Sequence, residues 1–205
     1  MFQYCPKCAS QRIKFEQGKV FRCPDCGFVY YHNTAAATGC IIVVPDNAAA
    51  PPASADAAGQ QFTGQQLTGQ RLLFLVRGKE PATGKLDLPG GFVDPNEGAL
   101  EGLYRELREE IGWAPPVAEN TPLENIFTLF ASFPNVYPYK NVSYNTCDLY
   151  FYVVAPGLRE QELCLEKAEI TGIRLLKPEE INYEDFAFTS TQKAVRTFIK
   201  NIALS

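Results

Sequence analysis

The chain has 205 residues, enough for one domain of ordinary size with a small appendage, which excludes two large domains. Apolar residues make up 46% and charged residues 20%, which excludes a chain that is disordered throughout. Within the net charge of −4, residues 1–34 carry +3 and the remainder −7, so a broad nucleic-acid-binding surface is not expected.

The compartment is predicted from two features of the sequence. No apolar run approaches the roughly 18 residues that cross a bilayer, and the N-terminus lacks the apolar core of a secretory signal. The seven cysteines are an odd number, and four of them fall in two C-x-x-C pairs, which favours metal ligation over disulfides. We therefore expect a cytoplasmic protein without a membrane partner.

Residues 1–34 contain both cysteine pairs, and a hairpin turning near Gly18 would bring the pairs together. Four thiolates close the shell of a tetrahedral ion and leave no open position for catalysis. A redox dithiol would not need the second pair. The segment is therefore predicted to be a zinc ribbon with a structural Zn²⁺, and the single histidine, His32, is interpreted as structural. The predicted zinc ligands are Cys5, Cys8, Cys23 and Cys26.

The stretches 35–45 and 71–78 are short, apolar and bounded by Pro and Gly, so they are predicted to be strands that pair with each other. Between them, residues 46–70 are low in complexity and rich in Ala, Pro and Gln. This segment is predicted to be a hairpin insertion without a catalytic role.

A helix is predicted over residues 97–111, where leucines and Ile111 recur at steps of three and four. Asp94 and Asn96 are candidate capping residues, and Gly112 is expected to end the helix.

Further strands are predicted at 124–133, 147–155 and 169–176, and a short helix after Lys177. A C-terminal helix is predicted over 190–204, with Thr189 and Ser190 as caps. The fold class is therefore α/β (α+β), with an α/β/α arrangement around a mixed sheet over residues 35–205. The remaining cysteines are interpreted as buried; they are Cys40, Cys147 and Cys164.

The predicted helix carries a cluster of carboxylates, since Glu106, Glu109 and Glu110 project from overlapping faces. Unneutralised, they would destabilise the helix, but Mg²⁺ prefers such oxygen ligands and keeps sites for waters and substrate phosphates. The glycines Gly90 and Gly91, just before the helix, would let the backbone approach an ion or a phosphate. A solvated acidic face is the competing interpretation.

The residues from 91 to 113 resemble the signature of the Nudix hydrolases. Gly91 is followed after five residues by Glu97, and after seven more by Arg105-Glu106-Leu107-Arg108-Glu109-Glu110-Ile111-Gly112-Trp113. The resemblance implies a Nudix-type fold and hydrolysis of a nucleoside diphosphate linked to another moiety. It also implies Mg²⁺ or Mn²⁺ bound by the three glutamates and the Gly91 carbonyl, with Glu97 and Arg105 paired to fix the loop against the helix.

The general base is left open among three glutamates. Glu106 is one candidate. Glu169, just before a late strand, resembles the position where many Nudix proteins present an extra metal-binding or water-orienting carboxylate, and Glu166 lies three residues before it.

The order of ribbon and Nudix domain resembles the NADH pyrophosphatase branch, which implies NADH, ADP-ribose, FAD or a nucleotide sugar as substrate and admits capped RNA as a partner. The diagnostic stretch of that branch is not intact, since "SFPNVYPYKN" lacks its tryptophan. Arg77, Tyr137 and Tyr139 are candidate substrate-binding residues, and aromatic rings in this stretch could stack on a base or pack within a loop. A homodimer is expected. The alternative function is a nucleotide-sensing or RNA-binding regulator without turnover.

Overall fold

The computed structural model describes residues 2–45, 69–139 and 142–203. The contacts divide the chain into two compact units, Met1–Thr34 and Ala35–Ser205. Residues 46–68 of the predicted insertion lie outside the described residues, and Gln70 is the first residue of a strand.

The first unit is a three-stranded antiparallel sheet of β1 (Lys14–Glu16), β2 (Val20–Arg22) and β3 (Val29–Tyr31). The hairpin turns at Gln17 and Gly18, both with positive φ, where the sequence predicted a turn. Phe21 is buried and stacks on Phe15 at 4.4 Å between ring centroids. The His32 ring lies edge-on to Phe15 at 6.0 Å, so this exposed residue packs against the rim of the small core.

The second unit is built on a six-stranded mixed sheet. Its strands are β4 (Ala35–Pro45), β5 (Gln70–Arg77), β6 (Leu86–Asp87), β7 (Thr128–Tyr139), β8 (Val142–Val154) and β9 (Ile170–Leu176). The order is β6-β5-β4-β8-β7, and β9 also pairs with β5. The central strand, β4, is antiparallel to β5 and parallel to β8, and the remaining pairs are antiparallel. The predicted pairing of 35–45 with 71–78 is therefore confirmed.

One helix packs on each face of this sheet, α1 (Ala99–Ile111) and α2 (Thr189–Ala203). Side chains alternate along β4: Ile41 and Val43 join the core that contains α2, whereas Cys40 and Ile42 join the core that contains α1. The predicted α/β/α arrangement is thus confirmed.

The helix ends differ from the predictions at their N-termini. Helix α1 begins at Ala99, and its N-cap is Gly98, whose N–H donates to the Glu101 carboxylate at 2.7 Å. Asp94 and Asn96 therefore do not cap it, because Glu97 stays outside the helix and accepts the Asp94 N–H. Gly112 ends α1 with φ of 63°, as predicted. Helix α2 begins at Thr189, so its two predicted caps lie in the first turn.

Strand β7 begins at Thr128, and the start of the predicted strand is a 3-10 turn at Leu123–Asn125. Strand β7 also continues past the predicted end at residue 133, through the residues to Tyr139, for which packing within a loop was one of the two interpretations. Among the described strands, β7 is the outermost one beside β8. The sheet tolerates Pro134 and Pro138 there because the outer side needs no N–H donors.

Two smaller predictions, the helix after Lys177 and the burial of three cysteines, are only partly confirmed. The expected short helix after Lys177 is a 3-10 turn at Pro178–Glu180. Cys40 is buried as expected, but Cys147 and Cys164 are exposed, so the interpretation of these two as buried was wrong. Within the described part of the chain, no helix combines the length and the apolar character needed to cross a membrane.

Candidate active site

The loop before α1 runs along the first half of β4 and is fixed to it by three backbone hydrogen bonds. The N–H groups of Cys40, Thr38 and Val93 donate across this seam, at 2.9, 2.8 and 3.1 Å, to the carbonyls of Pro89, Gly91 and Ala36. Gly90 has φ of 139°, and a Cβ there would lie 2.2 Å from the Thr38 carbonyl oxygen. Only glycine fits at this position, so the close approach of loop and strand depends on it.

Two of the three helix glutamates lie against this glycine loop. The Glu110 carboxylate accepts the Gly90 N–H at 2.8 Å. A Cβ on Gly91 would meet the Glu106 carboxyl group at 2.6 Å, so that carboxylate fills the space a side chain would take. Glu109 is farther out, with 59% of its side chain exposed. The loop glycines and the helix carboxylates therefore form one surface.

Arg105 connects the loop to the carboxylates. It donates to Glu97 twice, from Nε at 2.8 Å and from Nη2 at 3.0 Å, and Nη2 also donates to the Phe92 carbonyl at 3.1 Å. Its Nη1 donates to Glu106 at 2.9 Å and to Glu109 at 3.0 Å. The hydrogen bond from Arg105 lowers the pKa of Glu97, and the glutamates in turn raise the pKa of Arg105.

The two inner carboxylates have raised pKa values. Burial raises the pKa of Glu110 to about 8, and the nearby charges of Glu106, Asp87 and Glu169 add to this shift. Burial is also the largest cause of the raised pKa of Glu106, while Arg105 opposes it. The site thus concentrates negative charge in a place that needs a cation to hold it ionised.

The glutamate oxygens do not yet converge on one point. Among the described residues, only the four cysteines of the first unit place three or more potential metal-binding atoms within 4.8 Å of one another. The oxygens of the three helix glutamates do not all lie within this distance of one another. Arg105 engages one oxygen each of Glu106 and Glu109, and the Gly91 carbonyl accepts the Thr38 N–H at 2.8 Å and the Thr38 hydroxyl at 3.4 Å. A cation would therefore share the two carboxylates with Arg105 and would have to replace the Thr38 hydroxyl at the Gly91 carbonyl.

The glutamates line a cavity of about 620 Å³. Its other walls come from β4 to β8, from the loop before β9 and from the start of α2. Glu166 and Glu169 line it as well. Glu169 forms an ion pair with Lys79, while the Glu166 carboxylate accepts the Ala168 N–H at 3.1 Å. The structure thus brings all three candidate bases, Glu106, Glu166 and Glu169, to the same cavity.

Arg77 also lines the cavity, although most of its donors are engaged. Its Nη1 donates to Asp87 at 2.8 Å and its Nε to the Pro81 carbonyl at 2.8 Å. Its Nη2 is buried and has no hydrogen-bond partner among the described residues. The guanidinium lies 5.0 Å from the centre of the Phe188 ring. Sequence analysis had no signal for Asp87 or Phe188.

Of the two candidate tyrosines, Tyr137 lines the cavity, with its ring centroid 5.6 Å from Phe92 and 5.5 Å from Phe188. Tyr139 is the last residue of β7, and its side chain lies outside the described residues. The cavity also contains polar residues that sequence analysis missed, namely Thr146, Asp148 and Thr191. Thr146 and Asp148, two polar residues at a spacing of two before an apolar run, were the available signal.

The four cysteines of the first unit are arranged as a tetrahedral metal would require. The Sγ atoms of Cys5 and Cys26 are 3.6 Å apart and those of Cys8 and Cys23 are 3.7 Å apart, within a group that spans less than 4.8 Å. A tetrahedron with Zn–S bonds of about 2.3 Å has edges of about 3.8 Å. The residues present therefore fit Zn²⁺.

The model of the NUDIX domain matches residues 62–198, more than half of the chain. The chain belongs to the Nudix family. At the level of the family, the prediction of a Nudix pyrophosphohydrolase is confirmed. No protein of curated function matches the sequence.

Solved Nudix structures have the same fold as this Nudix chain. A NUDIX hydrolase from Nitrosomonas europaea aligns with TM-score 0.59 and 20% identity over 97% of this chain and 91% of its own. The NUDIX domain of Shewanella oneidensis NrtR, complexed with ADP ribose, aligns with TM-score 0.55 and 13% identity over 83% and 89%. An Ap4A hydrolase from C. elegans, a binary complex, aligns with TM-score 0.52 and 16% identity over 83% and 98%.

Proposed function

We propose that this Nudix protein hydrolyses the pyrophosphate bond of a nucleoside diphosphate linked to another moiety, such as NADH, ADP-ribose, FAD or a nucleotide sugar. The observation that carries the proposal is the placement of Glu106 and Glu110 against a glycine loop in a cavity of about 620 Å³. A cavity of this size accommodates a nucleotide.

The metal that the reaction requires would be held by Glu106, Glu109 and Glu110, with the Gly91 carbonyl as a further ligand. The donor set fits Mg²⁺ or Mn²⁺, because hard cations prefer carboxylate and carbonyl oxygens and keep positions for waters and phosphates. When bound, such an ion neutralises charge on the pyrophosphate and lowers the pKa of a water. Zn²⁺ would be held by the four cysteines of the first unit.

The chain's own residues would supply positioning. Arg105 holds Glu97 and the Phe92 carbonyl, so it fixes the loop that must face the phosphates. Gly90 and Gly91 keep the backbone open where the diphosphate would lie. Phosphoryl transfer demands little covalent chemistry from a protein, so this fixed geometry supplies much of the rate.

For the general base we propose Glu169. Glu169 lines the cavity with the glutamates, and its charge is among those that raise the pKa of both Glu106 and Glu110. The Glu166 carboxylate instead accepts a backbone N–H of its own loop. We expect Glu169→Gln to lower kcat by roughly a hundredfold and Glu166→Gln by less than about fivefold, measured at saturating metal. The reverse order would assign the role to Glu166.

The substrate class is tested with a panel of NADH, NAD⁺, ADP-ribose, FAD, ADP-glucose, diadenosine polyphosphates and nucleoside triphosphates, each with Mg²⁺ and with Mn²⁺. Turnover is followed by release of phosphate-linked products from the wild type, from Glu110→Gln and from Glu162→Gln. Glu162 is exposed and lies outside the cavity, so its substitution is a matched control for charge. Turnover that only Glu110→Gln loses supports the proposal. If zinc-loaded, folded wild type turns over nothing yet binds a nucleotide, the chain is a sensor.

The cellular setting follows from the thiolate chemistry of the first unit. Cysteines that bind a metal as thiolates, and do not form disulfides, suit a reducing compartment, so we infer a cytoplasmic protein. A homodimer and binding of capped RNA stay predictions of the sequence.

A further inference from the structure

The cavity has a second polar region, made by three residues on one face of β8. Thr146, Asp148 and Tyr150 follow one another at a spacing of two, so their side chains share a face of the strand. All three are more than nine-tenths buried, and all three line the same cavity as the glutamates.

Strand β4 makes room above this region. In the parallel pairing, Asp148 lies beside Ala37 and Tyr150 beside Gly39. A Cβ on Gly39 would be 3.0 Å from the Tyr150 ring, so even a methyl group would press on it. Beyond Gly39 the residues that face α2 are Ile41 and Val43, and the cavity gives way to core. The small residues at the start of β4 thus open the space that Asp148 faces.

Asp148 is an acceptor without a cation. Its Oδ1 accepts the Thr146 hydroxyl at 2.6 Å and its Oδ2 the Tyr150 hydroxyl at 3.3 Å. Across the described residues, no Lys, Arg or His forms an ion pair with it. An ionised carboxylate has about four acceptor positions, so about two remain for a ligand. Such a group attracts N–H and O–H donors and repels phosphates.

Aromatic side chains complete this part of the cavity. Tyr137 and Phe188 line it with ring centroids 5.5 Å apart. Aromatic rings favour a planar ligand that can stack on them. A nucleobase is planar, whereas a sugar is not. The Asp148 carboxylate, as an acceptor, and the two aromatic rings together favour a nucleobase whose edge carries hydrogen-bond donors.

We propose that Asp148 is the specificity determinant of the site and binds the exocyclic amino group of a nucleobase while the diphosphate lies at the glutamates. The inference rests on the proposed function for the identity of the ligand as a nucleotide. It narrows the substrate class to nucleoside diphosphate derivatives whose base carries an amino group. Thr146 is a positioning residue that orients the carboxylate.

The test measures binding directly, without turnover. Adenosine 5′-monophosphate and purine riboside 5′-monophosphate, which differ only by the amino group, are titrated into the full-length protein by calorimetry with Mg²⁺ present. We expect the wild type to bind the amino-bearing nucleotide about ten- to a hundredfold more tightly, the range for a hydrogen bond to a charged group. Asp148→Asn should bring the two affinities within about threefold. The amide is uncharged, and with its one oxygen held by the Thr146 hydroxyl it presents its NH2 group, a donor, to the amine.

Thr146→Val retains the carboxylate and should lose part of the preference, about three- to tenfold. The exposed Glu162→Gln removes the same charge elsewhere and should retain the full preference. Thermal unfolding verifies that each variant is folded.

Equal binding of the two nucleotides by the wild type overturns the inference, whether or not Asp148→Asn folds. A preference that persists in folded Asp148→Asn also overturns it. If Asp148→Asn instead loses discrimination between ribose and 2′-deoxyribose nucleotides, the group bound is a sugar hydroxyl and the assignment to the base is wrong. None of these outcomes affects the hydrolysis panel, so failure of the inference is distinguishable from failure of the proposed function.

Discussion

Arg105 contacts both the loop before α1 and the carboxylates of the helix. It joins Glu97, the Phe92 carbonyl, Glu106 and Glu109, and so it stabilises the loop and occupies carboxylates at once. Lysine carries a single ammonium group and cannot reproduce the planar arrangement of N–H donors that the guanidinium of Arg105 offers. We expect Arg105→Lys to lower the free energy of unfolding by about 2 kcal/mol and kcat by roughly tenfold to a hundredfold.

Chemical denaturation and steady-state kinetics measure these two effects. The matched control is Arg108→Lys on the same helix, where the side chain is exposed. It should change stability by less than about 0.5 kcal/mol. Equal effects of the two substitutions would show that the fork geometry is unimportant.

Glu110 makes stability depend on pH when Mg²⁺ and Mn²⁺ are absent. Its pKa is raised to about 8 in the folded protein, above its ordinary value of 4.5, so the native state binds the proton more tightly than the unfolded chain. The stability that this provides is complete below the unfolded value and is lost as pH rises through the folded value. We expect the melting temperature to fall by several degrees between about pH 6 and about pH 8.5.

Glu110→Gln should flatten this dependence, because glutamine stays neutral throughout. Added Mg²⁺ should restore the wild-type melting temperature at the alkaline end, since the ion binds the ionised form. The measurement is thermal unfolding of gel-filtered protein that retains its tightly bound zinc. A wild-type profile as flat as that of Glu110→Gln would contradict the pKa.

The loop between β6 and α1 depends on one backbone conformation. At Gly90 a Cβ would lie 2.2 Å from the Thr38 carbonyl oxygen, so neither loop nor strand can accept a side chain there. Gly84 also has positive φ, of 82°, but a Cβ there would meet nothing within 4 Å. We expect Gly84→Ala to cost about 1–2 kcal/mol of stability, from backbone strain alone. Gly90→Ala should cost more and abolish activity, measured by denaturation and by turnover. Similar costs at the two positions would refute a steric role for Gly90.

The elements were predictable where one period dominated. The spacing of the apolar residues in α1 predicted a helix, and Gly112 predicted where it ends. The apolar run of β4 predicted a strand and its pairing with β5. The start of α1 was wrong because Glu97 binds Arg105, a tertiary contact that local capping patterns do not contain. The extent of β7 was missed because Pro134 and Pro138 indicate a loop, unless the strand is known to be at an edge.

The candidate site was predictable only along the continuous motif. Its glutamates lie on one helix, and their spacing is visible in the sequence. Asp148, Thr191 and Phe188 reach the cavity from β8 and from the start of α2, and only the sheet order brings them there. Lys79 and Asp87 likewise pair with partners that no local spacing indicates.

At the scale of the whole molecule, the two units should have separate requirements for metal. The four cysteines fit one Zn²⁺, so we expect one zinc per chain, released by a mercurial reagent and measured with a colorimetric chelator. Cys23→Ser should lower the zinc content well below one and destabilise the first unit. Cys147→Ser is the control, because this cysteine is exposed and lies in the second unit. Full zinc content in Cys23→Ser would exclude the four-cysteine site.

The outer position of β7 has a consequence for association. Pro134 and Pro138 lack an N–H and lie four residues apart, so both interrupt the same outward side of the strand. A strand of another chain that paired with this side of β7 would meet backbone carbonyls but would lack the N–H donors at the two proline positions. Edge prolines of this kind protect a sheet from fibril-like growth and strand exchange. If the chain forms a homodimer, we therefore expect its interface not to be built by strand pairing along β7.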